Sequence, residues 1–186
     1  MCMNESAAHR VVLSIGSNSQ RELHFTRAFD ELHQRFGDLV FSPIYENQST
    51  HDSSFNSGNY YNAVVSFYTH KGVAELQSMV HDIEARCGRD RTQMLVNMDI
   101  DLLLYGDSVG EIDRVTLPHK DILQRAYILR PLADSLPDLL YPLTDRPFHV
   151  LWESFCDDSE GLPLLEPVDF VWQGQLISVA SPCLII

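Results

Sequence analysis

The order of short apolar runs and helical repeats along the first 105 residues is the feature that most limits how this chain can fold. Apolar runs typical of β-strands occupy residues 11–15, 39–45, 60–68 and 98–105. Apolar residues at helical spacing occupy 23–36 and 73–87, and Gly37 and Gly88 are expected to end these two helices. The resulting order, β-α-β-β-α-β, is that of the ferredoxin-like or split-βαβ pattern. We therefore predict an α+β sandwich, a ferredoxin-like βαββαβ fold whose two helices cover one face of a largely antiparallel sheet.

The remaining segments are predicted to form a loop, a further helix and a hairpin around this βαββαβ unit. Residues 46–59 are polar and are expected to form a long surface loop. A helical stretch is expected over 120–135, interrupted or kinked at Pro131, and a hairpin over 168–179 that turns at Gln173-Gly174. We predict one domain over residues 10–147, with a C-terminal extension over 148–186 packed on the same domain.

The charge balance excludes several classes of partner. The 186 residues carry a net charge of −13, which argues against a nucleic-acid or anionic-membrane surface. A small phosphate ligand stays possible, because it needs only a few local cations. No apolar run reaches the ~18 residues of a membrane span, and the N-terminus lacks the regions of a signal peptide. We expect a cytoplasmic protein, and a monomer.

The fourth apolar run contains two aspartates. Asp99 and Asp101 are separated by one residue, so on a strand both point to the same face, ~6.5 Å apart. Neighbouring carboxylates in an apolar strand are costly unless something neutralises them, and Mg²⁺ does so with one or two carboxylates, waters and substrate phosphates. The alternative is a strand whose outer face is simply solvated.

Two cationic clusters accompany the aspartates. His119, Lys120 and Arg125 lie within seven residues of one another, and Arg89 and Arg91 follow the second predicted helix. Arginine and histidine donate hydrogen bonds to phosphate oxygens. Cations near helix ends are also an ordinary structural pattern, so these residues predict a phosphate site only in combination with the aspartates.

Tyr60 and Asn62 lie on the third predicted strand, and Tyr45 lies on the preceding one. The rings of Tyr45 and Tyr60 could stack on a flat heterocycle, and the Asn62 amide could hydrogen-bond the edge of such a ring. A tyrosine-rich sheet is the alternative interpretation. Gly16-Ser17-Asn18 matches no phosphate-binding glycine motif and is expected to form a strand-to-helix turn.

Taken together, these segments resemble the 6-hydroxymethyl-7,8-dihydropterin pyrophosphokinases, which are folate-pathway enzymes with a ferredoxin-like fold. The resemblance covers about residues 10–142, and its most specific piece is residues 99–106. The matching segments, in family order, are Leu13-Ser14-Ile15-Gly16-Ser17-Asn18, Ser42-Pro43-Ile44-Tyr45-Glu46, Tyr60-Tyr61-Asn62-Ala63, Ile83-Glu84, Gly88-Arg89-Asp90-Arg91, residues 99–106, Leu117-Pro118-His119 and residues 125–132.

The resemblance implies an activity and a set of roles. ATP would donate pyrophosphate to the hydroxymethyl oxygen of the pterin and release AMP, and Asp99 and Asp101 would hold two Mg²⁺ ions. Arg91 would join these aspartates as a catalytic residue. The positions matching the nucleotide site are Glu84, Arg89, Arg91, His119 and Arg125. The positions matching the pterin site and its surroundings are Tyr45, Tyr60, Asn62 and Tyr127.

The chain departs from the family at two places. Seven residues, 92–98, connect the G-R-x-R element to the aspartates, where the family usually has a longer segment with Trp-Gly-Pro-Arg; Val96 stands at the position of that arginine. Asn47-Gln48 stands where a Thr-Pro or similar pair is common. Two hypotheses follow: a divergent pyrophosphokinase with a shortened loop over the site, or a catalytically impaired homologue that binds nucleotide or pterin as a regulatory or binding protein.

Overall fold

The structure, a computed structural model, describes residues 7–47, 59–90, 92, 95–158 and 164–180. Its helices are α1 (Arg21–Phe36), α2 (Val73–Arg86), α3 (Ala126–Ser135) and α4 (Phe148–Asp158). The strands of the main sheet are β1 (His9–Ser17), β2 (Val40–Phe41), β3 (Ile44–Asn47), β4 (Tyr60–Thr69), β5 (Asp99–Tyr105) and β10 (Glu166–Val168). The three hairpins are β6 (Gly110–Ile112) with β7 (Val115–Leu117), β8 (Leu140–Tyr141) with β9 (Arg146–Pro147), and β11 (Phe170–Trp172) with β12 (Gln175–Ser178).

The main sheet has the topology predicted for it. Its strands lie in the order β10-β3-β4-β1-β5, with β2 also paired to β4, and every pairing is antiparallel. The central strand β1 is therefore flanked by β4 and β5, which are far apart in the sequence. This order confirms the α+β, ferredoxin-like prediction and determines which side chains become neighbours across the sheet.

Helices cover both faces of the sheet. Successive side chains of a strand point to opposite faces, so Leu13 of β1 joins the core beneath α1 and α2, while Val12 joins a second core beneath α3 and α4. On α1, Phe25, Ala28, Phe29 and Leu32 recur at helical spacing and are all buried. The prediction that the first two helices share one face is confirmed. The second helical layer lay outside that prediction.

Two predicted elements have different bounds in the structure. The run 39–45 is divided into β2 and β3 at Pro43, which has no N–H to donate to a neighbouring strand. The helix expected over 120–135 begins only at Ala126, because residues 121–124 form turns. Pro131 lies inside α3 without ending it. The helix tolerates the proline because its apolar face, including Ile128 and Leu132, is buried in the second core.

The C-terminal segment contributes to both faces and to the sheet. Phe148 of α4 is fully buried in the second core, and β10 adds a strand beside β3. The predicted hairpin turn is confirmed: Gln173 and Gly174 have φ angles of 49° and 78° between β11 and β12. A domain boundary at 147/148 stays a prediction. Among the described residues, no helix has the length and apolar character needed to cross a membrane.

Candidate active site

One row of residues runs across four neighbouring strands, β3, β4, β1 and β5, on the face that α3 and α4 cover. Tyr45 of β3 pairs with Asn62 of β4, Asn62 pairs with Gly16 of β1, and Gly16 pairs with Asp99 of β5. Directly paired residues of an antiparallel sheet point to the same face. Asn62 and Asp99 are two strand spacings apart, about 10 Å, and only a glycine lies between them. The row therefore forms a gap with an amide on one side and a carboxylate on the other.

Gly16 keeps this gap open. A Cβ atom at this position would lie 3.2 Å from Asn62 Oδ1, tighter than ordinary van der Waals contact. The sequence interpretation placed Gly16 in a strand-to-helix turn, but the structure places it within β1, between two predicted site residues. The sequence showed only a glycine after an apolar run. The strand register is needed to show that this glycine lies between Asn62 and Asp99.

Asp99 and Asp101 lie on the predicted face of β5. Ile100 and Leu102, with the opposite orientation, are buried in the core beneath α1 and α2. The Asp99 side chain is 47% exposed, and its Oδ1 accepts a hydrogen bond of 3.3 Å from Nη2 of Arg89. Arg89 is largely buried, and its Nε has no hydrogen-bond partner among the described residues. The structure thus joins Asp99 to one of the predicted phosphate-binding arginines.

The two aspartates have the chemistry of a partial metal site. Carboxylate oxygens are suitable ligands for Mg²⁺, which commonly takes one or two of them and completes its shell with water and phosphate oxygens. Within the described part of the chain, no group of three or more His, Cys, Asp or Glu side chains is arranged to hold a metal ion. Asp99 and Asp101 therefore fit a metal that a phosphate ligand brings with it.

Glu84 lies behind the strand that carries the aspartates. It is 4% exposed, and its Oε1 accepts a hydrogen bond of 3.0 Å from the backbone N–H of Ile100, the residue between Asp99 and Asp101. This contact attaches α2 to β5 and positions the strand. Direct contact between Glu84 and a nucleotide stays a prediction.

Two tyrosines approach the aspartates from different elements. Burial raises the pKa of Tyr60, the Asp99 carboxylate adds to the increase, and Arg89 opposes it. Burial also raises the pKa of Tyr127 on α3; Arg125 opposes the increase, whereas Asp121, Asp101 and Asp99 add to it. Both phenols are thus within the electrostatic range of the carboxylates, on the same side of the sheet. Tyr60 and Tyr127 thus lie near the aspartates, and their contact with a pterin stays a prediction.

The cationic cluster that contains His119, Lys120 and Arg125 begins beside the edge of β5. The backbone N–H of His119 donates to Leu103 O at 2.9 Å, which holds this segment against the strand. His119 Nδ1 accepts from the backbone N–H of Asp121 at 3.3 Å, and this leaves Nε2 as the protonated nitrogen of the neutral ring. Arg125 is exposed at the start of α3. Arg91 lies outside the described residues.

Tyr45 belongs to the row, but its hydroxyl is directed elsewhere. The residue is 5% exposed, its hydroxyl donates to Asp134 Oδ2, and Nε of Arg130 donates to the same carboxylate at 2.8 Å. These contacts tie β3 to α3, which favours a structural role. The proposed position of Tyr45 beside the substrates stays a prediction.

This buried tyrosine leads to an expected pH dependence. Burial and the hydrogen bond to Asp134 raise the pKa of Tyr45 from 10.0 to about 12. The folded state therefore keeps the proton more tightly than the unfolded state, and the free energy of unfolding should decrease as the pH rises from about 10 to about 12. Urea denaturation at several pH values tests this, with Tyr45→Phe as the comparison. A Tyr45→Phe variant with the same pH slope as the wild type would contradict the assignment.

Asn18 was missed as a site-forming residue. Its backbone N–H donates to Val96 O at 3.0 Å, and its Oδ1 accepts from the backbone N–H of Val96 at 2.6 Å. Ser17 Oγ also donates to Val96 O, at 3.3 Å. The short connection before Asp99 is therefore attached to the end of β1, a contact that residues 78 positions apart give no means of predicting from the sequence.

Comparison with protein families and curated proteins gives consistent matches. The family model described as 7,8-dihydro-6-hydroxymethylpterin-pyrophosphokinase matches residues 12–137. The folic acid synthesis protein fol1 of Schizosaccharomyces pombe is 29% identical over 171 residues, which are 89% of this chain and 23% of that protein. The 2-amino-4-hydroxy-6-hydroxymethyldihydropteridine pyrophosphokinase of Pseudomonas aeruginosa is 28% identical over 138 residues, which are 72% of this chain and 84% of that protein.

Solved structures give the same fold. A Plasmodium falciparum HPPK-DHPS triple mutant superimposes with a TM-score of 0.71 at 13% identity, over 95% of this chain and 49% of that one.

A further sequence match covers only part of a longer protein. A mitochondrial folate synthesis bifunctional protein of Arabidopsis thaliana is 32% identical over 71% of this chain and 24% of its own length. This chain thus spans about a quarter of the S. pombe and A. thaliana proteins and about half of the P. falciparum chain.

Proposed function

Because the chain belongs to the 7,8-dihydro-6-hydroxymethylpterin-pyrophosphokinase family, we propose that it transfers pyrophosphate from ATP to 6-hydroxymethyl-7,8-dihydropterin in folate biosynthesis. The products are the pterin diphosphate and AMP. Both substrates are small molecules, and we expect a monomer to act on them. The names of the P. aeruginosa and S. pombe relatives support this assignment.

The row Asn62–Gly16–Asp99 is the observation that carries the proposal. It provides a hydrogen-bonding amide and a carboxylate on either side of a position without a side chain. A flat ring over Gly16 would meet the Asn62 amide at its edge and direct a hydroxymethyl substituent toward Asp99. Tyr60 and Tyr127 supply aromatic surface near the same carboxylates.

We assign the reacting phosphates to the Asp99 end of the row. Asp99 and Asp101 would hold two Mg²⁺ ions, which when bound neutralise charge on the triphosphate. The side chains of Arg89, His119 and Arg125 would donate hydrogen bonds to the phosphates. We assign Arg91 to the same group. Glu84 would support them by holding Ile100.

The proposed reaction exchanges one phosphorus–oxygen bond for another. The hydroxymethyl oxygen forms a bond to the β-phosphorus of ATP and loses its proton. The bond from that phosphorus to the oxygen bridging the α- and β-phosphates breaks, and its electron pair leaves with AMP. Such transfer depends on positioning and charge stabilisation more than on covalent participation by the protein, which agrees with a site made of cations, carboxylates and an amide.

A binding or regulatory homologue is the second candidate function. Val96 occupies the position of a family arginine, its backbone is attached to Asn18, and residues 92–98 contain no lysine or arginine. A protein of this kind would retain affinity for nucleotide or pterin without turnover. Calorimetric titration with Mg-ATP and with the pterin tests the binding shared by both functions, and product analysis distinguishes them.

Asn62→Ala should weaken pterin binding selectively. Removing the amide leaves polar atoms of the ring edge without partners, at an expected cost of ~1–3 kcal/mol. The affinity for Mg-ATP should change little, because the predicted nucleotide residues lie on other elements. Titration calorimetry with each substrate measures both affinities. Equal pterin affinity in the variant and the wild type would show that the pterin site is assigned wrongly.

Gly16→Ala should also reduce pterin affinity, by roughly tenfold, because the new Cβ forces the Asn62 amide to move and occupies part of the gap. Gly72→Ala is the matched control, since a Cβ at that position meets no atom within 4 Å. Titration of both variants with the pterin, alongside their thermal melts, makes the comparison. Unchanged pterin affinity in Gly16→Ala would contradict a ligand position over this glycine.

A further inference from the structure

A second amide lies against Asn62 on the site face of the sheet. Asn47, the last residue of β3, is 7% exposed and Asn62 is 8% exposed. The Asn47 position pairs with Tyr60, two residues from Asn62 along β4, so the two asparagines are diagonal neighbours. Nδ2 of Asn62 donates a hydrogen bond to Oδ1 of Asn47. The side chain predicted to bind the pterin is thus itself held by a neighbour.

This hydrogen bond distinguishes the two edges of the Asn62 amide. An asparagine amide has a donor nitrogen and an acceptor oxygen of nearly equal shape, and its neighbours decide which way it points. Here Asn47 Oδ1 accepts a hydrogen bond from Asn62 Nδ2. Asn62 Oδ1 is directed toward Gly16 and lies 3.2 Å from the position that a Cβ would occupy there. The Asn62 amide therefore directs its acceptor oxygen, and not its donor nitrogen, into the gap over Gly16.

We propose that Asn47 is a positioning and specificity-determining residue, which fixes the Asn62 amide so that its oxygen accepts a hydrogen bond from a ring N–H of the pterin. This inference rests on the proposed function, because it concerns the same pterin site. It assigns a role to a position at which the chain departs from the family. A ring that presents an acceptor to Asn62 Oδ1 is rejected, because two acceptors then face each other without a proton.

Variants at Asn47 separate this role from ordinary packing. Asn47→Leu removes the acceptor and lets the Asn62 amide rotate, so the Kd of the pterin should rise about five- to tenfold. Asn47→Asp keeps an oxygen for Asn62 Nδ2 and should lose clearly less affinity than Asn47→Leu. The Kd of Mg-ATP should stay within about twofold in both variants, which also reports that they fold. Thr69→Val, a buried polar substitution at the far end of β4, is the matched control.

A double-mutant cycle gives the decisive readout. If Asn47 acts through the Asn62 amide, Asn47→Leu should have no further effect on pterin affinity in an Asn62→Ala background. Equal losses in the two backgrounds, or wild-type pterin affinity in Asn47→Leu, would overturn the positioning role while leaving the proposed function in place. Failure of the wild-type protein to bind the pterin at all would overturn the proposed function, and this inference with it.

Discussion

Substituting either aspartate of β5 by asparagine is expected to abolish Mg²⁺-dependent activity, with kcat/KM reduced by at least about 10²-fold. Asp99→Asn and Asp101→Asn keep the shape of each side chain but remove the charge that would hold the metal. Little stability should be lost, since the Asp99 side chain is 47% exposed and an asparagine at this position keeps an oxygen that can accept the hydrogen bond from Arg89. Steady-state kinetics and calorimetric titration with Mg-ATP measure the effect.

The control for these variants lies on the turn that follows the same strand. Asp107 is exposed just beyond β5 and outside the row that includes Asp99. Asp107→Asn removes one negative charge from the same part of the chain, and its kcat/KM should stay within about twofold of the wild type. If Asp99→Asn and Asp101→Asn behave like Asp107→Asn, the metal role of these carboxylates is wrong.

The second large effect concerns turnover in the wild-type protein. Mg-ATP and the pterin should both bind, but kcat should fall at least about 10²-fold below the ~1–100 s⁻¹ usual for kinases, because one positioned cation is missing. Val96 stands in its place, and its backbone is attached to Asn18. Single-turnover kinetics combined with binding isotherms separate the two quantities. A kcat within the usual range would show that another segment supplies the missing charge.

A gain of function sharpens this prediction. Val96→Arg restores a cation at the position where the family has one, and should raise kcat by about tenfold or more while the Kd of Mg-ATP changes little. The neighbouring, exposed Leu95 provides the control, because Leu95→Arg adds the same charge with a different orientation. Equal rates for the two variants would contradict a specific role for this position.

Local patterns in the sequence were sufficient for much of the architecture. The period of two along β5 placed Asp99 and Asp101 on one face, and Ile100 on the other, because strand geometry fixes that alternation. The helical spacing of Ala28 and Leu32 on α1 was readable for the same kind of reason, whereas Leu23, expected on the same face, is exposed. These features depend on residues close in sequence, and the structure confirms them.

Features that depend on register could not be predicted in this way. Asn62, Gly16 and Asp99 form one row only because β1 pairs with β4 and β5 in a particular alignment, and a shift by one residue would send each side chain to the other face. The hydrogen-bond partner of a buried polar side chain is equally hard to predict, because that partner can lie far away in the sequence. The hydrogen bonds of Glu84 to the backbone of β5 and of Tyr45 to Asp134 could not be predicted from the sequence, and the positions of both residues beside the substrates stay predictions.

Product analysis tests the central proposal most directly. The 186-residue protein is incubated in excess over 6-hydroxymethyl-7,8-dihydropterin with Mg²⁺ and ATP. The phosphorus spectrum of the mixture is followed through a single turnover, with Asp101→Asn as the inactive reference. Pyrophosphate transfer predicts AMP and a pterin diphosphate in equal amounts, formed slowly by the wild type. ADP with a pterin monophosphate, or bound substrates that stay unchanged over hours, would contradict it.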